Sequence, residues 1–316
     1  MRLSHFDAEL EQPSVVAFGV FDGLHLGHQA IIAHVVKLAR DHGATPSIIT
    51  FDPHPALVLS SDTAPLLIGT LDQRLEGFAR LGVEQVGVLG FDTQSALESA
   101  SSFIERVLVG RLGVVDLVVG DDVHFGRNRE GDVELLEREG SRLGFRVHSS
   151  PTYGTASRYS STVVREYLQS GEVKSAAAVL GRPFVLRGTV VHGDARGRDL
   201  GFATANLRLG ERQQLPGLGI YAAAVHLASG EWRAGAVSVG TRPQFYEHGG
   251  VLVEVHLPHF EGDLYDHVLD VAFIERLRGE ATFDKLEDLL TQMHLDVTKS
   301  LEFFEIFSPE ASVLLG

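Results

Sequence analysis

A chain of 316 residues, 44% hydrophobic and 22% charged, is long enough for two ordinary domains, each with its own core. A net charge of −15 without any basic tract repels a nucleic-acid backbone at long range, so small phosphorylated molecules, held by a few local donors, are the expected partners. The absence of cysteine excludes disulfides, CxxC zinc sites and thiol catalysis. The opening Met1-Arg2-Leu3-Ser4-His5-Phe6-Asp7 lacks the apolar centre of a signal peptide, and no apolar run approaches the ~18 residues of a membrane span. The expected location is the cytoplasm, with neither nucleic acid nor membrane as partner.

The apolar run 15–20 predicts a buried strand and residues 29–40 a helix. Between them lies Phe18-Gly19-Val20-Phe21-Asp22-Gly23-Leu24-His25-Leu26-Gly27-His28, a glycine-punctuated turn. Strand, glycine-rich turn and helix is how an α/β fold presents backbone N–H groups to phosphate. His25 and His28, three apart, face one side of that turn and have the donors to bind a phosphate during its transfer. On the residues alone two other readings stand: turn glycines with an incidental histidine, or a histidine pair binding metal. A strand at 47–51 follows, leading into Asp52-Pro53-His54-Pro55, a proline-stiffened loop. Residues 70–81 predict an amphipathic helix with Leu71, Leu75, Phe78 and Leu81 on one face, 85–89 a strand, 95–112 a helix and 114–119 a buried strand ending at Gly120. Such alternation argues for a doubly wound parallel sheet with ligands at the carboxyl ends of its strands, where Gly19, Asp52 and Gly120 all fall. The loop 120–132, with Asp121, Asp122, Arg127 and Arg129, reads on its own as polar surface. At 158–168 Ser160, Ser161 and Thr162 open a helix whose free N–H groups, with Arg165, suit an anion; a capped helix with a solvated arginine fits as well.

From Leu180-Gly181-Arg182-Pro183 onward β-type runs dominate, at 184–191, 219–227, 234–239, 251–257 and 268–273, before a helix over 283–301. That pattern predicts an antiparallel barrel closed by a terminal helix, with the domain boundary near 181. The densest motif here, residues 193–206, is not a Walker A loop. It reads either as a long hairpin loop or as a phosphate cradle whose Thr204 and Asn206 oxygens suit Mg²⁺. Strand alternation turns Glu254 away from Val253 and Val255.

The segment 19–28, GVFDGLHLGH, resembles the HxGH signature of nucleotidyltransferases in the form carried by bacterial bifunctional riboflavin kinase/FMN adenylyltransferases. Further elements are similar to that family in the same order. They are TFDPHP at 50–55, the loop 120–131 with Val123 in place of Phe, SSTVVR at 160–165, and GRDLGFATAN at 197–206 with Ala203 in place of Pro. After these come VGTRPQF at 239–245 with Gln244 in place of Thr, VEVHL at 253–257, GDLYD at 262–266 with Asp266 in place of Gly, and the FxxxxRxExxF spacing of 273–283.

The resemblance implies a Rossmann-like, HxGH-type FMN adenylyltransferase domain over 1–180 and a β-barrel riboflavin kinase domain over 181–316. Riboflavin, FMN and FAD are then substrates and products, ATP the co-substrate and Mg²⁺ the cofactor. In the transferase half it makes His25 and His28 catalytic. Gly19, Phe21, Asp22, Gly23, Gly27, Ser160, Ser161, Thr162 and Arg165 become ATP- and phosphate-binding, and His54 and Asp122 line the site. In the kinase half Glu254 is the general base. Gly193, Arg196, Gly201, Thr204 and Asn206 serve nucleotide and phosphate, with Thr204 and Asn206 also on the metal, and Arg278 and Glu280 lie beside the flavin. The departures at Val123, Ala203, Gln244 and Asp266 define two rivals: an enzyme with one working half, and a flavin- or nucleotide-binding protein without turnover.

Overall fold

The computed structural model describes residues 1–5, 13–150, 159–193, 201–241 and 251–307. Arg196 and Gln244, named above, lie outside them. By its contacts the chain forms two compact units, residues 1–66 with 71–160, and 67–70 with 161–316.

In chain order the first unit contains β1 (Arg2–His5), β2 (Ser14–Phe18), α1 (Leu26–His42), β3 (Thr45–Asp52), α2 (Pro55–Leu59) and α3 (Leu71–Arg80). Then come β4 (Gln85–Gly90), α4 (Ala100–Phe103), β5 (Val114–Gly120), α5 (Val133–Leu143) and β6 (Arg146–Ser150). Among the described residues the strands make a six-stranded sheet in the order β1-β4-β3-β2-β5-β6, every pair parallel. Its strands are apolar on both faces because both faces are covered. Val15, Ala17, Ile48, Val86, Val88 and Val118 pack with Ile32, Val35 and Ala39 of α1 and Leu75 and Phe78 of α3. Their neighbours Val16, Phe18, Ile49, Leu89, Leu117 and Val119 pack on the other face with Phe103, Ile104, Leu108, Leu136 and Phe145. This is the doubly wound sheet that the sequence predicts. The chain turns from β2 toward β3 on one side and meets β5 on the other, so the switch point, where such sheets bind ligands, lies at the carboxyl ends of β2 and β5.

The far end of α1 is anchored at the opposite edge of the sheet. There the buried Asp116 carboxylate meets His42 Nδ1 (2.6 Å) and His148 Nε2 (2.7 Å) and accepts both arms of Arg146. The single helix expected over 95–112 is instead interrupted. Asp92 accepts the Ser95 N–H at 2.7 Å, Glu98 is extended, and Ser99 caps a fresh helix through Ser102 N–H (3.2 Å). From Ile104 the helix widens to a π-type turn, with Gly110 N–H reaching Glu105 O at 2.9 Å.

The second unit opens with α6 (Ser161–Ser170) and α7 (Val173–Leu180), followed by β7 (Phe184–Val191), β8 (Thr204–Leu209), β9 (Gly219–His226), β10 (Trp232–Thr241), β11 (Val251–His256), β12 (Val268–Arg278) and α8 (Leu286–Ile306). The six strands close an antiparallel barrel in the order β10-β11-β8-β7-β12-β9. Inward positions alternate with outward ones, so Leu186, Val190, Tyr221, Val237, Val239, Val253, Val255 and Val271 fill the interior. The contact division at 160/161 precedes residue 181 because α6 and α7 group with the barrel: α7 packs on β7 and β12, and Leu168 O of α6 accepts Gly217 N–H at 2.8 Å. The terminal helix packs on β9, β10 and β12. Arg278, at the end of β12, closes a two-armed ion pair on the nearly buried Asp296 of α8, with Nη2 to Oδ2 at 2.8 Å.

Candidate active sites

The first site grows from the end of β2. Gly19 N–H still donates to Ile49 O (3.0 Å), but at Phe21 the backbone turns left-handed (φ 56°, ψ 31°) and a short helical turn, Asp22–Leu24, follows. Gly23 (φ 77°) takes the left-handed position without strain, whereas Leu24 is held there at φ 45°. Asp22, Gly23 and Leu24 are all buried. His25 then becomes the N-cap of α1: its Nδ1 accepts the His28 backbone N–H at 3.3 Å. In a neutral ring that bond places the proton on Nε2, leaving His25 an N–H donor for a ligand.

The His25 and His28 rings stack face to face, centroids 3.6 Å apart, and Phe21 meets the edge of His28 at 5.1 Å. Gly27 makes room for the stack, since a Cβ there would stand 3.2 Å from the His25 ring. Stacked rings, one nitrogen already engaged by backbone, are poorly disposed to share a metal and well disposed to line one side of an anion site. Burial pushes His25 down to about 4, and His28 lies well below its usual value through burial and the neighbouring His25. Both imidazoles are therefore neutral at pH 7. Nδ1 of the partly exposed His28 is buried without a partner among the described residues.

The burial of His25 has a consequence for stability. A histidine that stays neutral when folded but titrates near 6.5 when unfolded gives full stability above pH 6.5, and loses it as pH falls toward about 4. We expect acidification from pH 7 to pH 5 to remove about 2 kcal/mol from the first unit through this residue. Urea unfolding at the two pH values measures it, and His25→Asn should flatten the dependence by that amount.

His54 repeats the theme at the end of β3, its Nδ1 accepting Ala56 N–H (3.1 Å) as N-cap of α2. Asp122 is exposed just beyond β5. Val123, where the related motif has an aromatic, packs on the core cluster, beside Phe125, whose ring meets Phe18 at 5.1 Å. Ser161, Thr162 and Arg165 lie in the first turn and a half of α6, with Ser160 just before it. That helix groups with the second unit.

The second site is on the barrel's outer surface. In register, Glu254 of β11 lies opposite Asn206 of β8 on one side and Ser238 of β10 on the other. With Val253 and Val255 fully buried inside, Glu254 points outward, as strand alternation requires. Thr204 Oγ1 donates to Glu254 Oε1 at 3.3 Å, so carboxylate, hydroxyl and amide converge. Gly193 belongs to the same cluster: a Cβ there would fall 2.1 Å from Asn206 Nδ2, so only glycine lets the chain pass over the amide. Gly201 takes φ 83° as the chain re-enters toward β8. Arg278 is engaged by Asp296 rather than turned free to a ligand. The exposed Glu280 reaches back over β10, where its Oε1 would lie 2.8 Å from a Cβ on Gly240.

Three residues of these sites receive no role from the sequence, His256 although it lies within VEVHL. His256, opposite Thr204, donates from Nδ1 to Ala203 O (2.8 Å) and tilts against the buried Phe202, which also meets His294 of α8 at 4.9 Å. That contact holds the segment where Ala203 replaces proline. Ser238 comes in through register alone; its place in the alternating Val237-Ser238-Val239 was the available signal. Arg74, on α3, is only 4% exposed and binds the ends of β2 and β3; its helical spacing from Leu71 and Phe78, both on the apolar face, was the available signal.

A parallel α/β unit with a glycine- and histidine-built turn at its switch point, on one chain with a barrel bearing a carboxylate–hydroxyl–amide cluster, defines an enzyme of nucleotidyl and phosphoryl transfer with two centres. Family models described as FAD synthetase and riboflavin kinase match residues 7–163 and 180–304, and the chain is 39% identical over 284 residues to the bifunctional riboflavin kinase/FMN adenylyltransferase of Pseudomonas fluorescens, covering 90% of each. The chain belongs to the bifunctional riboflavin kinase/FMN adenylyltransferase family. It is also 36% identical to the enzyme of that name from Escherichia coli K12 and 33% to that from Bacillus subtilis, in both cases over 95% of each chain. A crystal structure titled macrolide-efflux protein, from Streptococcus pneumoniae, superposes with a TM-score of 0.83 at 29% identity, covering 94% of this chain and 96% of that one. No helix among the described residues is long and apolar enough to cross a membrane.

Proposed function

We propose that the chain phosphorylates riboflavin with ATP to give FMN on the barrel, and then adenylylates FMN with a second ATP on the parallel-sheet unit, giving FAD and pyrophosphate. The observation that carries this reading is the convergence on one barrel face of Glu254, Thr204 and Asn206, whose residue types suit a base and the ligands of a metal–nucleotide. Function divides near residue 181, with 1–180 serving adenylyl transfer and 181–316 phosphorylation. Glu254 takes the proton of the ribityl 5′-hydroxyl as that oxygen attacks the γ-phosphorus and ADP leaves. Hydroxyl, amide and carboxylate are the hard oxygen donors that Mg²⁺ prefers, so the cluster fits the ion, with Thr204 and Asn206 as its ligands. Mg²⁺ there would neutralise charge on the ATP phosphates.

In adenylyl transfer a phosphate oxygen of FMN attacks the α-phosphorus of ATP directly, without a covalent enzyme intermediate. His25 and His28 donate N–H groups to the phosphates as charge shifts toward pyrophosphate, and Gly19, Phe21, Asp22, Gly23 and Gly27 shape the turn around them. Ser160, Ser161, Thr162 and Arg165 supply further donors to ATP, while His54 and Asp122 line the transferase site. Gly193, Arg196 and Gly201 serve the kinase nucleotide, and Arg278 and Glu280 border the flavin. The chemistry is cytoplasmic and uses small molecules alone. An efflux role finds no support in either family model, since both concern flavin.

The test is a time course of purified protein with riboflavin and MgATP, the flavins separated by chromatography. We expect FMN to rise first and then give way to FAD. FMN alone would leave a kinase with a silent transferase, and FAD from supplied FMN only would mean the barrel has lost turnover.

A further inference from the structure

The left-handed turn that presents His25 and His28 does not hold itself. Phe21 (φ 56°) and Leu24 (φ 45°) are non-glycine residues in a region that costs energy, and such conformations persist only when surroundings impose them. The surroundings here are one face of α3. Arg74, Gly77 and Phe78 stand at i, i+3 and i+4 and so share that face. Each meets a different part of the turn. Arg74 Nη1 donates to Val20 O (2.8 Å), Thr50 Oγ1 (3.0 Å) and Phe51 O (3.3 Å), so one guanidinium ties the residue before the turn to the end of β3. Thr50 Oγ1 donates to the same Val20 carbonyl at 3.1 Å. Phe78, fully buried, receives the Phe21 ring edge-on at 5.5 Å. Gly77 leaves the hole that Leu24 fills: a Cβ there would stand 2.2 Å from Leu24 Cδ1, and Leu24, 2% exposed, has nowhere to retreat.

We propose that this face of α3 is the template of the adenylyl-transfer turn, with Arg74 and Gly77 as positioning residues that set the placement of His25 and His28. The proposal rests on the reading of that turn as the transferase centre. Arg74 touches no reacting atom in this scheme; it fixes a carbonyl, and the carbonyl fixes where the chain turns. A planar fork with donors in fixed directions does this for two strand ends at once, which a lysine ammonium does only in part.

The test uses the full chain, so that riboflavin phosphorylation reports on the barrel while FMN-to-FAD conversion reports on the turn. Rates are taken at a temperature where the melting curve of each variant shows it folded. Arg74→Met should lower kcat for FMN adenylylation about 100-fold and Arg74→Lys about tenfold, with KM for ATP within about threefold of normal and FMN formation unchanged. Gly77→Ala should also lower kcat about tenfold, and adding Leu24→Ala should restore much of it by reopening the hole. A purely structural role would leave kcat of the folded variants intact and would not respond to the Leu24→Ala rescue. If Arg74→Lys and Gly77→Ala keep full transferase rates while His28→Ala loses them, the site reading stands and the template is overturned. If His28→Ala itself retains FAD formation, the turn is not the centre and the template falls with it.

Discussion

Glu254→Gln should stop riboflavin phosphorylation, lowering kcat by about a thousandfold, while FMN supplied directly still becomes FAD at the normal rate. The substitution is close to isosteric, and an amide oxygen can still accept from Thr204 Oγ1, which now reaches Glu254 Oε1 at 3.3 Å. Val253 and Val255 on either side remain packed in the barrel interior. What the amide lacks is the capacity to take the ribityl proton. The loss should therefore fall on kcat, with KM for riboflavin nearly unchanged, because the interaction removed forms only as the proton moves. Steady-state assays of the two half-reactions separate these effects. A variant that phosphorylates riboflavin normally would place the base elsewhere, and the row of half-buried Ser238 and Glu254 with buried Asn206 would then be a metal and phosphate shelf alone.

How far such sites can be read from sequence differs from one element to the next. Strand β7 is found at its true bounds, since Phe184 to Val191 alternate buried and half-buried with the period of a one-sided strand. Strands β2, β3 and β5 are legible because Val, Ile, Leu and Phe dominate them, the mark of burial on both faces, even with Thr50 and Asp116 in their midst. Strand β6 is not, because Arg146 and His148 occupy the positions that face buried Asp116, and a strand of polar residues carries no hydrophobic period. Helix α5 goes unread although Asp132 caps it through Leu135 N–H (2.8 Å) and Gly144 closes it, both legible signals hidden beside a polar loop. Strand β8 hides inside the glycine-rich motif, where Thr204 and Asn206 draw attention as ligands and not as alternate positions of a strand.

The same division runs through the sites. Residues that touch substrate in the proposed scheme lie in compact motifs, because neighbours on one turn or strand must be neighbours in sequence. The groups that hold those motifs lie far away in the chain: Arg74 acts on Val20 across 54 positions, and His256 on Ala203 across 53. Local signals show where they sit, Arg74 at helical spacing from Leu71 and Phe78 and His256 within VEVHL, but not which distant carbonyl they hold. A buried arginine donating to carbonyls becomes visible only when the strands it ties are already placed.

His28→Ala should reverse the flavin pattern of the barrel variant: FMN accumulates from riboflavin, and FAD formation falls by about 100-fold or more. The argument begins from the charge state. Burial and the stacked His25 hold His28 well below its usual value, so in the free protein the ring is a neutral donor. The overall charge of −15 offers a triphosphate no long-range attraction, so the turn must act by aimed N–H groups at short range. Such donors matter most where charge grows, on the oxygens of the departing pyrophosphate, and removing one costs kcat more than KM. Alanine also unstacks His25 and takes away the edge contact with Phe21, so a second variant is needed to isolate the donor. His28→Asn keeps an N–H donor in a smaller planar group and should recover part of the rate, whereas His28→Phe keeps the stack without a donor and should not. If phenylalanine proves as active as histidine, the ring serves packing alone, and transfer depends on the backbone N–H groups of the turn.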